Sequence, residues 1–226
     1  MSTTTTAPSN KKYTFGIPLY NFQAVDVVGP IDLIYSTSRE LLLELESTGL
    51  MPPDLADHAI DVEFVYLAPT LEPVKLASGL TFMPTATFAT CPKLTCLLLG
   101  GPGPDFFNHI PDSYVTFLRE KLEEVEFLFT TCTGGIVAAK AGLLKGTRAT
   151  TNWEFLDLAK AECPGTEWVK ERWVVDGKIW TAGGAFAGVD MFEFWLEGKR
   201  GEALKELGRR ALDYQPRGLD GEILRD

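Results

Sequence analysis

The chain has 226 residues with 31 acids against 21 bases, a net charge of -10. That balance excludes a phosphate-backbone binder, which needs clustered Lys and Arg, and it weighs against an anionic membrane surface. The two histidines, His58 and His109, leave little for zinc sites or histidine relays, so no metal is expected.

Met1 to Lys12 is polar and rich in Ser and Thr, lacks the apolar stretch of a signal peptide, and is expected to be a disordered tail. No apolar run approaches the roughly 18–20 residues that cross a bilayer. Cys91, Cys96, Cys132 and Cys163 show no CxxC spacing, which suits reduced thiols in a cytoplasmic protein.

Tyr13 to Tyr20 is a short aromatic and β-branched run that predicts a buried strand. Ala24 to Asp32 comes next and then an amphipathic stretch to about Glu46, with Pro30 expected in a first helical turn, where its missing N–H costs nothing. Asp61 to Ala68 alternates as a second strand. Val74 to Phe88 holds two short β-like pieces around a Ser78-Gly79 turn. Thr95 to Leu99 is a strand running into the Gly/Pro loop Gly100-Gly-Pro-Gly-Pro104, and Pro111 to Glu124 has helical spacing.

Glu126 to Thr131 predicts a further strand. Gly134 to Leu144 predicts a small-residue helix ending at Gly146. Beyond it lie a short strand at Arg148–Thr151, a helix over Trp153–Ala161 and a strand pair turning at Asp176-Gly177. A last helix starts near Gly188, and Lys199, Arg200, Lys205, Arg209 and Arg210, interleaved with acids, are read as a solvated helical face. Gln215 to Asp226 reads as loop. Strands alternating with helices point to an α/β layered fold with a mostly parallel sheet. One domain over 13–216 is expected, between tails at 1–12 and 217–226.

In open α/β sheets the ligand site lies at the carboxyl ends of the strands. Thr130-Thr-Cys-Thr-Gly-Gly135 stands there, between strand and helix. A nucleophile on so sharp a turn is exposed, and a helix N-terminus favours the thiolate. Gly134 and Gly135 leave room for the turn, and the Thr133 N–H is placed to face an oxyanion. The alternative is a small buried Cys after a core strand. Gly100 and Gly101 lack a phosphate-binding pattern, but next to a nucleophile their N–H groups suit an oxyanion hole. Asp26, after the first strand, is positioned to orient water or move a proton, or else to cap a helix. His109, His58, Cys91, Cys96 and Cys163 take structural or surface readings, and the Trp residues 168, 173, 180 and 195 core or contact readings.

Several stretches in one order resemble the ThiJ/PfpI superfamily, and within it the isonitrile hydratase branch. They are Val25-Asp-Val-Val-Gly-Pro30, Ala77-Ser-Gly-Leu-Thr-Phe-Met-Pro84, Cys132-Thr-Gly-Gly135 through Gly142 to Thr151, Thr181 to Asp190, and Asp213-Tyr-Gln-Pro216. The resemblance implies a flavodoxin-like three-layer sandwich with a nucleophile elbow, and a homodimer acting on a small molecule without a cofactor. It implies Cys132 as nucleophile and Asp26 as the acid that hydrogen-bonds thiol and substrate. Thr133, Gly100 and Gly101 would supply oxyanion contacts, and Asn152 and Trp153 would line the pocket. Many relatives carry His where this chain has Asn152, which argues against a Cys–His triad. The activity this resemblance implies is hydration of an isonitrile to an N-substituted formamide. The competing expectations are a glyoxalase-like, deglycase-like or biosynthetic Cys enzyme, and a non-enzymatic redox-sensing or ligand-binding protein.

Overall fold

The computed structural model describes residues 11–51, 53, 55–200 and 202–224. In chain order the strands are β1 (Lys12–Pro18), β2 (Asp61–Ala68), β3 (Val74–Lys75), β4 (Thr81–Phe82), β5 (Ala86–Thr87), β6 (Cys96–Leu99), β7 (Phe127–Thr131), β8 (Arg148–Ala149), β9 (Glu167–Trp168), β10 (Trp173–Asp176) and β11 (Ile179–Ala182). The helices are α1 (Val25–Tyr35), α2 (Arg39–Ser47), α3 (Pro104–Asn108), α4 (Asp112–Glu124), α5 (Gly134–Lys140), α6 (Leu156–Glu162), α7 (Ala185–Arg200) and α8 (Glu202–Ala211).

The main sheet runs β10-β11-β7-β6-β1-β2-β5. Every pairing in it is parallel except that of β10 with β11. Its central strands are buried on both faces, which is why they are continuous apolar runs rather than alternating ones. In β6, Cys96 and Leu98 enter one core while Leu97 and Leu99 enter the other. The first core holds Phe15, Ile17, Phe129, Phe192 and Trp195, and α1 and α7 cover it. The second holds Leu128, Ile136, Val137 and Leu118 under α4 and α5. This is the mostly parallel α/β sandwich expected from the sequence. Among the described residues no helix is long and apolar enough to cross a membrane.

Several expectations need correction. Residues 1–10 of the proposed N-terminal tail lie outside the described residues, but Lys12 already pairs with Asp61 in the β1–β2 ladder. Pro30 is not in a first turn. It stands inside α1, because the helix starts at Val25. The predicted helix from Gly134 stops at Lys140, six residues short of Gly146. There Gly142 takes φ +86°, the Gly142 N–H bonds the Ala139 carbonyl, and the Leu143 N–H reaches back to Ala138, a left-handed glycine stop.

The Gly/Pro loop runs into α3, with Pro104 in its first turn. The charged face of the last helix is not wholly solvated. Lys205 and Arg209 are buried, and Arg209 Nε donates to Glu193 Oε1 at 2.6 Å, joining α8 to α7. Nor is 217–224 a free tail. Arg217 bridges to Ile223, and its N–H donates to Asp190 Oδ1 at 2.9 Å.

Candidate active site

β7 delivers Cys132 to the carboxyl edge of the sheet, and α5 leaves from Gly134. Between them Cys132 takes φ +55°, a left-handed conformation that a non-glycine residue holds only when its surroundings fix it. Three contacts do so. The Cys132 N–H donates to the Ala182 carbonyl at 3.0 Å. The Cys132 carbonyl accepts from Thr151 Oγ1 at 2.9 Å and from the Asn152 N–H at 3.3 Å.

Close backbone approach explains the glycines around it. A Cβ on Gly101 would lie 2.7 Å from Cys132 Cβ and 2.7 Å from Thr133 N. On Gly134 it would lie 2.4 Å from the Leu99 carbonyl oxygen, and on Gly135 2.8 Å from that of Thr150. The elbow therefore packs directly onto the loop after β6. Thr133 closes that contact, its hydroxyl donating to the Pro102 carbonyl at 2.6 Å.

Cys132 is only 8% exposed, and its sulfur accepts from Asn152 Nδ2 at 3.2 Å. Asn152 caps the short 3-10 turn over Trp153–Phe155, its Oδ1 accepting from the Glu154 N–H at 3.1 Å. The cap assigns the oxygen, so the NH₂ end must face the sulfur. Burial and the Asp26 charge push the thiol's pKa up, and hydrogen bonds from Asn152 and Thr133 pull it back.

Asp26 lies in the first turn of α1 and is fully buried. Its Oδ2 accepts from the Gly101 N–H at 3.0 Å, and among the described residues its Oδ1 has no hydrogen-bond partner. Burial raises its pKa to about 7 against the one lowering contact from Gly101. Two expected roles change here. Among the described contacts Asp26 makes no direct hydrogen bond to the Cys132 sulfur, which accepts from Asn152, and Asp26 raises the thiol's pKa through its charge. Gly101 does not offer a free oxyanion N–H, because that N–H is committed to Asp26, so its part is to clamp the acid. Gly100 packs against Phe22 and Val27, and its carbonyl accepts from the Tyr20 hydroxyl at 2.8 Å.

Trp153 is 44% exposed. Its Nε1 donates to the Glu171 carbonyl at 3.1 Å, and Lys170 Nζ stands 5.2 Å above its ring. It packs on Gly183, one residue beyond the carbonyl that holds Cys132 N–H. Both histidines are exposed, and His109 contacts the Asp105 carbonyl. Sequence reasoning missed Thr151, whose hydroxyl holds the Cys132 carbonyl, and Thr131, whose hydroxyl holds the Asp26 carbonyl. The paired threonines after an apolar strand and in Ala-Thr-Thr151 were the available signal.

The chain thus combines a mostly parallel α/β sandwich with a left-handed cysteine elbow and a buried acid beside it. The DJ-1/PfpI family pattern matches residues 19–197, and the chain belongs to that family. It is 33% identical over 176 residues to isonitrile hydratase of Pseudomonas putida, covering 76% of this chain and 74% of that protein. It is 27% identical over 128 residues to the HTH-type transcriptional regulator GbdR of Pseudomonas aeruginosa, covering 57% of this chain but 35% of the regulator. Among solved structures, a ThiJ/PfpI family protein from Pseudomonas syringae superposes with TM-score 0.75 at 24% identity, covering 92% of this chain and 77% of that one. Drosophila melanogaster DJ-1beta superposes with TM-score 0.67 at 16% identity, covering 90% and 99%.

Proposed function

We propose that the chain hydrates an isonitrile to an N-substituted formamide. The observation that carries the chemistry is the pairing of the Cys132 elbow thiol with Asp26, a buried acid whose pKa is raised to about 7, in a chain 33% identical to isonitrile hydratase. A carboxyl titrating near neutrality both gives and takes protons at working pH. Asn152 carries no proton it can release, so among the groups described at the thiol Asp26 is the proton carrier.

The Cys132 sulfur attacks the terminal isonitrile carbon, forming a C–S bond as the thiol proton passes by way of Asp26 to that carbon. The product is a thioimidate. Water, deprotonated by the Asp26 carboxylate, adds to the same carbon while the nitrogen is protonated. Collapse of this adduct breaks the C–S bond and returns Cys132, leaving R–NH–CHO. The sum is isonitrile plus water. Asn152 Nδ2 and the Thr133 N–H steady the sulfur when it carries charge. Trp153, exposed at the rim, contributes an apolar wall for the R group.

The test is formamide formation from a panel of small isonitriles, with Cys132→Ala as the control. Turnover by the native chain and none by the variant is expected, and no turnover across the panel sinks the proposal. The partial match to a transcriptional regulator favours a second reading, a ligand-receiving domain without turnover. It predicts a calorimetric binding signal for the same panel with no formamide. Either protein would act as a homodimer without nucleic acid, which light scattering and a DNA titration check.

A further inference from the structure

The Asp26 side chain is clamped by Gly101, but its backbone is held separately. Pro30 lies inside α1, four residues after Asp26. Proline has no N–H, so the carbonyl four residues earlier loses its ordinary helical donor. That carbonyl belongs to Asp26. It accepts instead from Thr131 Oγ1 at 2.9 Å, with the Leu99 carbonyl the longer alternative for the same hydroxyl at 3.3 Å. Thr131 is fully buried, and it immediately precedes Cys132.

The other side of Thr131 is fixed as well. A Cβ on Gly188, in the first turn of α7, would lie 2.5 Å from Thr131 Cγ2. The glycine lets α7 press on the methyl group, which leaves the hydroxyl facing α1. An intrahelical hydrogen bond would hold Asp26 to its own helix. The one present ties it to the strand that carries the nucleophile.

We infer that Thr131 is a positioning residue: through the carbonyl that Pro30 leaves free, it fixes the Asp26 backbone relative to Cys132. The inference rests on the reading of Asp26 as proton carrier, and the geometry concerns the two residues whatever the substrate.

The experiment reads two quantities in Thr131→Val, Thr131→Ser and the double variant Thr131→Val/Pro30→Ala. One is the pH midpoint of Cys132 alkylation by iodoacetamide, followed by mass spectrometry. The other is kcat and KM for isonitrile hydration. Thr131→Val should lower the alkylation midpoint by about 0.5 pH unit, because a carboxylate withdrawn from the thiol raises it less. Its kcat should fall about tenfold with KM within about twofold of the native value. Thr131→Ser, which keeps the donor, should retain both.

The double variant gives the Asp26 carbonyl an N–H within its own helix. It should melt higher than Thr131→Val while its midpoint and kcat stay at the Thr131→Val values. Should Thr131→Val not fold, the double variant supplies both readouts. A Thr131→Val protein that melts lower but keeps the native alkylation midpoint would make the residue structural and overturn the inference. Full recovery of midpoint and kcat in the double variant would overturn it too, by showing that the carbonyl needs a partner and not a tether. If the native chain makes no formamide, the hydratase reading fails on that assay alone, and the alkylation midpoint still decides the role of Thr131.

Discussion

Two buried aspartates on neighbouring helices have opposite surroundings. Among the described residues, Asp26 on α1 has one hydrogen bond to its carboxyl, from Gly101, and one oxygen without a partner. Asp190 on α7 is saturated: Arg172 and the Tyr214 hydroxyl donate to its carboxyl, and the Arg217 N–H adds a third bond at 2.9 Å. Burial pushes both carboxyls up. For Asp190, Arg217 and Arg172 oppose the shift. For Asp26, only Gly101 does. A buried charge that is paired serves structure, and one left short of partners is held ready to exchange a proton.

The sharpest way to break this contrast is to neutralise each carboxyl in turn. Asp26→Asn should cost about 10²–10⁴-fold in kcat/KM for hydration, with the melting temperature unchanged or higher because a poorly compensated acid is gone. Equal activity would remove Asp26 from the chemistry. Asp190→Asn should do the reverse. It leaves the Arg172 guanidinium facing a neutral amide and loosens the segment that returns through Tyr214 and Arg217. Breaking a buried pair on one side costs about 3–5 kcal/mol, to be read by chemical denaturation. Activity per folded molecule should stay near native.

Stability against pH sharpens the same contrast. The folded-state pKa of Asp26 lies above its unfolded value, so the folded protein binds the extra proton between the two. That stabilisation is complete below about pH 4 and is lost as pH rises through about 7. The rise from 3.8 to about 7 is on the order of 4 kcal/mol. Asp26→Asn should flatten the pH 4–7 fall in unfolding free energy relative to native protein. An unchanged slope would place the Asp26 carboxyl at an ordinary value.

What was legible in the sequence follows the same division between local and non-local causes. The apolar runs of β1, β6 and β7 and the Cys132-Thr-Gly-Gly135 turn are local signals, and the fold and elbow followed from them. The end of α5 was misplaced because two glycines, Gly142 and Gly146, both take positive φ, and only the chain's hydrogen bonds tell which one stops the helix. Pro30 falls inside the helix rather than in its first turn because α1 already begins at Val25, with no side-chain cap at Ala24 to mark that start in the sequence. The commitment of Gly101 N–H to Asp26 spans 75 residues of sequence, and no spacing rule encodes it. The solvated reading of Arg209 failed for the same reason, since its partner Glu193 lies on the preceding helix.

Asn152 extends the comparison from carboxyls to the thiol itself, with the smallest expected effect. Its amide does two things at once, capping the turn with Oδ1 and donating to the Cys132 sulfur with Nδ2. Asn152→Ala removes both, so a slower thiol in that variant alone would be ambiguous. Asn152→Asp keeps an oxygen for the Glu154 N–H and replaces the donor by a second acceptor, facing a sulfur that Asp26 already disfavours as thiolate. The Ala variant should lower Cys132 alkylation at pH 7 by about threefold to tenfold, the range set by one modest hydrogen bond. The Asn152→Asp variant should fall at least as far while its melting temperature stays closer to native, because the cap survives. If the Asn152→Asp variant alkylates like native protein, the 3.2 Å contact does not stabilise the thiolate and Asn152 is a cap alone. If it slows more than Asn152→Ala, charge at the sulfur governs reactivity, and Asp26 must shed its own charge before the thiol can ionise.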